Sequence, residues 1–594
     1  MPFSSHFFKK ILIWRYKHIS QKNFVFILSL LIGLLSGLVS VVIKNITFSI
    51  ESILAKGVLI SQNSIYFILP IIGLLLVYVF ATYISKKPPE HAIPSILFAL
   101  SKRDGIIGKR SIYLPLITAP LTVGFGGSVG LLGPAIASAT AISSNLSRLL
   151  HIDRKTRNLL IGCAAAGAIA SIFKSPIAAI IFAIEVFSLD LTFASLLPLL
   201  IASVSSVITS YFFLGDTVLF NFIVSEKFAI KDTFFYILLG ISTGVASIYF
   251  SKMYFGITNL FNRLKSAKHK LIIGGLAIGI MLYFIPPLYG EGFGFINDLM
   301  LGNEIEALGK TPFNDQLDNV WIVIVLLFGI TIFKAIAMTT TFAAGGAGGI
   351  IIPTLVMGSA LGNAVAKVIN NLGIGFDVSE SNFTLIGMAG VIAGVLHAPL
   401  TAIFLIAEIT GGYELFVPLM ITASMSFIIN KNVLNHTIYT KELLEKGALL
   451  TQNKDKNVLT LMKLDKVIEH DFVVLSPRMT LGEMLKEGVA KSSRNLFPVT
   501  DESNAFVGVI LLDDIRTVMF DTALYDSTRV ETFMHRAPDY IIYEQDSMEE
   551  VMKKFKSTGA WNLPVIKAQK YYGFVSKSKL LTAYRQELIN FTSD

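Results

Sequence analysis

Charge is scarce in this chain. Lys, Arg, Asp and Glu make up 15% of its 594 residues, where a soluble globular chain carries about 25%. Cysteine is nearly absent, and the one residue present, Cys163, excludes an internal disulfide. It stands in an Ala-rich apolar stretch, so packing rather than reactivity is its expected role. The first 23 residues contain no acid and no small-residue cleavage site, which argues against a signal peptide. There is no HExxH motif. The one GKT tripeptide, Gly309–Thr311, lacks the upstream glycine of a phosphate-binding loop because Glu304 fills that position. Disulfide-stapled, zinc-hydrolase and ATP-driven classes are thereby disfavoured, and no nucleic-acid partner is expected.

What the chain has instead is apolar length. Hydrophobic residues make up 53% of it, and the mean hydropathy is +0.65. Runs such as Phe24–Ile43, Ile65–Ile84, Phe234–Phe250, Leu271–Leu288 and Val320–Met338 approach the ~20 residues that cross a bilayer. The chain reads as a polytopic membrane protein. Lys9, Lys10, Arg15, Lys17 and Lys22 precede the first run, and the positive-inside rule puts this basic stretch, residues 1–23, in the cytoplasm. Composition changes near residue 450. From Thr451 to Asp594, 39 of 144 residues are charged, which marks a soluble domain. Those 39 are 19 basic and 20 acidic, so the tail has a net charge of −1 and the membrane part carries +10, for +9 in all.

The membrane part repeats. "GGSVGLLGP" (Gly126–Pro134) has a counterpart in "GGAGGIIIP" (Gly345–Pro353), 219 positions on. "GAIASIFKSPIAAIIFAIE" (Gly167–Glu185) parallels "GVIAGVLHAPLTAIFLIAE" (Gly390–Glu408), 223 positions on, with Pro176 matching Pro399 and Glu185 matching Glu408. Such repeats are common in membrane transport proteins, with the substrate site between them. Segments Leu159–Phe173, Pro176–Phe187 and Pro399–Thr410 read as too short to span. Broken helices are tolerated at membrane depth only where buried in protein or lining a cavity. Glycine lets backbone approach a ligand, and proline fits a first helical turn. The two loops would then present main-chain amides and positive dipole ends to an anion. The alternative is glycine serving close helix packing.

The tail repeats as well. "LFPVTDESNAFVGVILLDDI" (Leu496–Ile515) matches "NLPVIKAQKYYGFVSKSKLL" (Asn562–Leu581), each reading as strand, turn, strand and helix start. An amphipathic helix precedes each. Two similar α/β modules are expected, packed on each other.

In these motifs the sequence resembles the CLC family of chloride channels and proton-coupled anion antiporters, over about Phe24 to Gly447, and its tail resembles a tandem pair of CBS domains. "EHAIP" (Glu90–Pro94) stands where the family has GSGIP or GHGVP, "GLLGP" (Gly130–Pro134) where it has GREGP, and "GIIIP" (Gly349–Pro353) where it has GxFxP. "NHTIYTKELLEKG" (Asn435–Gly447) matches the segment whose tyrosine closes the anion site. The resemblance implies an all-α polytopic membrane domain over 24–450, with inverted halves at about 24–225 and 230–447. It implies a cytoplasmic α/β pair over 451–594, with modules at about 464–520 and 530–588. It further implies a multi-pass homodimer in the cell membrane, one pore per subunit, both termini cytoplasmic. By the same resemblance the amides of Ile350 and Ile351 and the hydroxyl of Tyr439 contact a central chloride, with no cofactor or metal. Gly130, Gly133, Pro134, Gly349 and Pro353 shape the pore helix N-termini. His91 replaces the serine that usually joins the anion site; the alternative is a packed or interfacial histidine.

The departures bear on mechanism. The family's gating glutamate would sit at Leu132, and the inner proton glutamate of antiporters at Val186. Leucine and valine pass no proton, so passive, channel-like chloride transport is expected, with Leu132 able to act as a dewetting constriction. Glu185, which has a repeat mate in Glu408, is expected to accept hydrogen bonds within the bundle. The alternatives are a proton-coupled antiporter that uses other carboxylates and a non-conducting sensor read out through the tail. In CBS pairs an aspartate after the second strand often holds a nucleotide ribose. Asp514 matches it in the first module and Lys579 replaces it in the second. Adenine-nucleotide binding and a purely structural tail both remain open.

Overall fold

Among the described residues nine helices are long and apolar enough to cross a membrane. The computed structural model describes residues 17–61, 65–86, 88–188, 192–215, 228, 230–309, 311–373, 375–445, 459 and 462–592. The basic residues Lys9, Lys10 and Arg15, the expected end of the first half near residue 225, the lysine of the GKT tripeptide and tail residues 451–458 lie outside them. The chain divides into two units, Met1–Ala448 and Leu449–Asp594.

The first unit is helical throughout. Its first half contains α1 (Gln21–Ser61), α2 (Ile65–Val79, continued by a π-helical turn over Phe80–Ser85), α3 (Ala92–Lys102), α4 (Arg110–Gly124), α5 (Leu132–Leu149), α6 (Arg154–Phe173), α7 (Pro176–Phe187) and α8 (Phe193–Leu214). The second contains α9 (Thr233–Asn262), α10 (Ala267–Phe284), α11 (Phe293–Met300), α12 (Glu304–Leu308), α13 (Val320–Ala343), α14 (Ile351–Asn371), α15 (Glu380–Leu396), α16 (Pro399–Ile409), α17 (Phe416–Val433) and α18 (Ile438–Glu445). Packing repeats along with the sequence: α1 lies on α8 as α9 lies on α17, and α5 on α6 as α14 on α15. Large apolar side chains also face outward, among them Ile208, Phe212, Val245 and Val325. That outward face suits lipid, because the hydrocarbon core offers no water to polar groups.

One expectation is corrected. The helix read as starting at Leu159, and so as too short to span, begins at Arg154 and runs 20 residues. Asp153 is its N-cap, with the side chain accepting from the Thr156 amide at 2.9 Å, so the charged turn of Arg154, Lys155 and Arg157 is helical. By contrast α7 and α16 are indeed short, at 12 and 11 residues, each with proline at its first position. At ~1.5 Å per residue neither crosses a ~30 Å hydrocarbon core; they pack on each other inside the unit. Cys163 is fully buried, its sulfur 3.8 Å from the Ser29 hydroxyl, consistent with packing.

Some glycines serve close helix contact. A Cβ on Gly358 of α14 would come within 2.5 Å of the Gly387 carbonyl of α15, and one on Gly387 within 2.3 Å of the Gly358 carbonyl. This pair lies outside the two glycine-rich loops, at the contact of α14 with α15.

The second unit is α/β. Strands β1 (Ile468–Glu469), β2 (Leu496–Thr500), β3 (Phe506–Leu511), β4 (Ile541–Ile542), β5 (Asn562–Lys567) and β6 (Lys570–Ser576) form a two-stranded sheet, β2-β3, and a four-stranded one, β1-β6-β5-β4. β2–β3 and β5–β6 are antiparallel hairpins, each followed by a helix, α20 (Leu512–Ile515) and α22 (Lys577–Thr592). Ahead of them stand α19 (Leu481–Glu483, with a π-helical turn to Val489) and α21 (Met548–Thr558). Each of α19 and α21 opens with a capping box, Thr480 with Glu483 and Ser547 with Glu550. β1, from the start of the first module, pairs with β6 of the second.

Candidate anion site

The two glycine-rich loops hold each other. Gly130 and Gly349 form an antiparallel bridge: the Gly130 amide donates to the Gly349 carbonyl at 3.0 Å, and the Gly349 amide donates back at 2.7 Å. Only glycine fits here, since a Cβ on Gly349 would meet the Gly133 nitrogen at 2.8 Å. Two threonines brace the bridge. The Ala347 amide donates to the Thr122 hydroxyl at 3.0 Å, and the Ser128 amide donates to the Thr341 hydroxyl at 3.3 Å. Thr122 and Thr341, Ser128 and Ala347, and Gly130 and Gly349 each stand 219 residues apart, so each brace repeats the other with donor and acceptor exchanged between halves. The loops then enter α5 at Leu132 and α14 at Ile351, with Pro134 and Pro353 each the third helical residue. There the missing amide costs no helical bond.

The short helices obey the same exchange. The Glu185 carboxylate of α7 accepts from the amides of Leu400 and Thr401 at 3.2 and 2.8 Å, at the start of α16. The Glu408 carboxylate of α16 accepts from the amides of Ile177 and Ala178 at 3.0 and 2.8 Å, at the start of α7. Each glutamate thus caps the other repeat's helix, satisfying orphan donors with a charge of the sign the dipole favours.

Where the loops meet, a small cavity opens, lined in part by His91, Gly133, Gly349, Ile350 and Tyr439. Four separate stretches of sequence supply these groups: the start of α3, the start of α5, the start of α14, and α18. The amides of Ile350 and Ile351 donate to no group among the described residues, as expected of a first helical turn awaiting an acceptor. Tyr439 is buried, and its hydroxyl has no hydrogen-bond partner among the described residues. Ile351 lies one residue behind the lining. Leu132 is 1% exposed and, like Val186 of α7, does not line the cavity. Gly130, Pro134 and Pro353 do not line it either.

Sequence reasoning missed four groups. Tyr254 of α9, Phe342 at the end of α13 and Glu442 of α18 also line the cavity. The Nδ1 of His91 is 2.7 Å from Oε1 of Glu442, and the Tyr254 hydroxyl donates to that same oxygen at 2.6 Å while lying 2.9 Å from Nδ1. His91 is therefore no bare donor to the cavity but part of a three-membered polar cluster. Glu442 stands three residues after Tyr439, one turn on along the same helix face, and that spacing was the available signal. The fourth group is Glu291, 7% exposed, whose Oε1 accepts from the Leu131 amide at 2.8 Å. Lys44 and Lys334 lie within its electrostatic reach. Lys334 donates to the carbonyls of Leu288 and Gly290 at 3.2 and 3.1 Å, and Lys44 to that of Ile172 at 3.2 Å. Both lysines sit inside apolar spans, where an ionisable residue is a functional signal by default.

In the second unit Asp514 follows β3 as expected. One of its oxygens accepts from the Leu511 amide at 2.8 Å and the other lies 3.2 Å from His535 Nε2.

Comparison with known proteins agrees with this geometry. The sequence model of the family described as "Voltage gated chloride channel" matches residues 72–431, more than half of the chain, and that of the CBS domain matches 464–521 and 530–586. A "Putative chloride channel protein ClcB-like" of Ralstonia nicotianae is 24% identical over 383 residues, 63% of this chain and 85% of that one. The "Voltage-gated ClC-type chloride channel ClcB" of Escherichia coli is 25% identical over 354 residues, 59% of this chain and 79% of that one. Among solved structures, a slow cyanobacterial Cl-/H+ antiporter has the same fold, with TM-score 0.62, 21% identity, and coverage of 72% of this chain and 98% of that one. A eukaryotic CLC transporter, at TM-score 0.57 and 16% identity, covers 93% of this chain and 97% of that one. Paired loops, exchanged caps and family match converge: the chain belongs to the CLC family of voltage-gated chloride channels, membrane proteins that transport anions rather than enzymes, and carries a C-terminal pair of CBS domains.

Proposed function

We propose that the chain conducts chloride and similar monovalent anions passively, as a multi-pass homodimer of the cell membrane with one pore per subunit and both termini cytoplasmic. The observation that carries this reading is Leu132. It is the first residue of α5, at the paired loops, and it brings a buried hydrocarbon where a proton-carrying gate needs a carboxylate. Val186 supports it by offering no inner carboxylate on α7. In this reading chloride occupies the cavity against the amides of Ile350 and Ile351 and the Tyr439 hydroxyl. Free amides at a helix start and an unpaired phenol are donors suited to an anion.

A second reading has one observation in its favour. Glu291 is a buried carboxylate on the Leu131 amide, one residue from Leu132, and proton-coupled exchange through it is the rival. Two of the structural neighbours are described as chloride/proton and fluoride/proton antiporters. Reconstitution into liposomes separates the readings. A chloride gradient is expected to drive anion flux with no proton movement. Uphill proton movement that tracks chloride selects Glu291-coupled exchange, and absent anion flux selects a sensor. The tail modulates flux in our reading. Because both oxygens of Asp514 already have protein neighbours, a structural role for it is favoured over nucleotide binding.

A further inference from the structure

The cavity offers acceptors as well as donors. Its donors are the Ile350 amide and the Tyr439 hydroxyl. Glu442, one turn after Tyr439 on the same face of α18, adds a carboxylate whose side chain is 15% exposed. A carboxylate accepts hydrogen bonds and gives none, so at 2.7 Å from its Oε1 the Nδ1 of His91 carries the ring's proton. Nε2 of the neutral ring is then a bare lone pair. It bonds to no described residue, and His91 lines the cavity. The family resemblance places a serine, a donor, at this position. The histidine and its glutamate turn that side of the cavity into one that accepts.

A halide suits such a lining badly. Chloride has lone pairs only, so the amide and the phenol hold it while the carboxylate and the bare ring nitrogen repel it. A monovalent oxyanion that still carries a proton matches both kinds of group. Its charged oxygens accept from the donors, and its O–H donates to the acceptors, in a charge-assisted bond where Glu442 takes it. We propose that this site selects monovalent anions that carry a hydroxyl, bicarbonate among them, over halides and over oxyanions without a proton: the Ile350 amide and the Tyr439 hydroxyl hold the charge, and the Glu442–His91 pair reads the O–H. The selection is by binding, with no proton transferred. A site built to hydrogen-bond a substrate hydroxyl discriminates strongly against an analogue that lacks it, because the site's own polar group is left unpaired.

The proposal rests on reading the cavity as the anion site and leaves passive flux as it stands. Nitrate is the sharpest comparison. Like bicarbonate it is planar, singly charged and built of a central atom with three oxygens, and it lacks only the proton. Size, shape and charge nearly cancel between the two anions, and the hydrogen bond to the acceptors remains. A hydrogen bond to a charged group sets a preference of about tenfold or more.

The test is calorimetric titration of the full chain in detergent with sodium bicarbonate, sodium nitrate and sodium chloride, at mildly alkaline pH, where bicarbonate is the main carbonate species. Bicarbonate is expected to bind about tenfold or more tightly than nitrate. In Glu442→Gln the amide keeps the shape of the side chain and an oxygen for His91 and Tyr254, and it brings an NH2 donor in place of the second carboxylate oxygen. The preference is expected to shrink about tenfold, with nitrate and chloride binding more tightly than in the parent. Bicarbonate binding no tighter than nitrate in the parent overturns the proposal, and so does a Glu442→Gln variant that keeps the parent's preference. If that variant does not fold, the parent's ratio of the two affinities decides alone. Tyr439→Phe separates this failure from that of the underlying reading. If it weakens nitrate and chloride binding while bicarbonate has no advantage in the parent, the selectivity alone falls. If it leaves the heats of all three anions unchanged, they bind elsewhere, and the assignment of the cavity falls as well.

Discussion

The two helix starts at the centre of this molecule have the same frame and different occupants. Leu131 and Ile350 are repeat mates with nearly the same backbone, φ −83° and ψ −13° against φ −89° and ψ −18°. Both sit one residue past the Gly130–Gly349 bridge. In the first half the Leu131 amide is taken by a carboxylate of the protein's own, Glu291. In the second half the Ile350 amide donates to nothing among the described residues and lines the cavity. A helix start is a place for negative charge. Here one copy is capped by the protein's own carboxylate, and the other is open to the cavity, where our reading places the anion. The repeat supplies the geometry, and side chains outside the repeat decide which half is open.

Breaking the filled half has the largest expected effect. Glu291→Leu leaves Lys44 and Lys334 without their nearest buried counter-charge and the Leu131 amide without an acceptor. Removing one partner of a buried charge pair costs about 3–5 kcal/mol, so thermal unfolding in detergent is expected to show a large loss of stability. Thr122→Val and Thr341→Val strip one brace from each half of the frame, leaving a buried amide unpaired at about 1–3 kcal/mol. Near-equal losses for the two threonines, both below that of Glu291→Leu, are the outcome the symmetry requires. A threonine variant as damaging as Glu291→Leu contradicts it.

The open half is tested by Tyr439→Phe. Its hydroxyl has no protein partner among the described residues, so deleting it removes no internal hydrogen bond, and stability is expected to be unchanged. A hydrogen bond to a charged group contributes about 1.5–3 kcal/mol, so anion affinity is expected to fall about tenfold or more. Calorimetric titration with chloride or bromide measures it. A variant that loses stability and keeps affinity places the hydroxyl in the packing and away from the anion.

Leu132→Glu makes the two occupants compete. It introduces a tethered carboxylate at the start of α5, beside the bridge that joins the halves. Ionised, that carboxylate competes with chloride for free amides; protonated, it does not. Chloride efflux is therefore expected to be several-fold lower than in the parent at neutral pH and to recover as pH falls. Coupled exchange is not expected to return, because Val186 still lacks a carboxylate. An unchanged rate and pH profile removes Leu132 from the pathway.

The frame was legible in the sequence because backbone dictates it. Gly130 and Gly349 are there for close approach, and Pro134 and Pro353 for a place where a missing amide costs nothing, and such reasons leave a spelling that repeats. The exchanged caps were half legible: the Glu185–Glu408 register suggested a structural role, and each turned out to serve the other repeat. The start of α6 was misjudged because charge at Arg154–Arg157 was read as an end of apolar length, although Asp153 carries a plain N-cap signal. Glu442 and Glu291 were not found. Their partners, His91 and the Leu131 amide, lie 351 and 160 positions away, and no local pattern encodes a contact at that range. Lys44 and Lys334 were the missed clue to Glu291, being charges stranded in apolar runs.

The smallest expected effect comes from the tail, where a second pair of repeats is matched more evenly. α19 and α21 open with the same box, the Thr480 amide donating to Glu483 at 2.9 Å and the Ser547 amide to Glu550 at 2.8 Å. The backbone amide of Ser547, and then its hydroxyl, hold the Glu550 carboxyl below the usual carboxylate range. A carboxyl that is more acidic in the folded state than in the unfolded one favours folding when ionised. That contribution is complete above the unfolded value and disappears as pH falls through the folded one. Glu550→Gln keeps an acceptor but loses the charge, and the side chain is exposed, so the change is expected to be slight at neutral pH and to vanish in acid. The measurement is the unfolding midpoint of the second unit's transition, parent against variant, from neutral pH down into the carboxylate range. A difference that persists unchanged at the acid end means that Glu550 acts through shape and packing at the start of α21, and not through the charge its Ser547 partner stabilises.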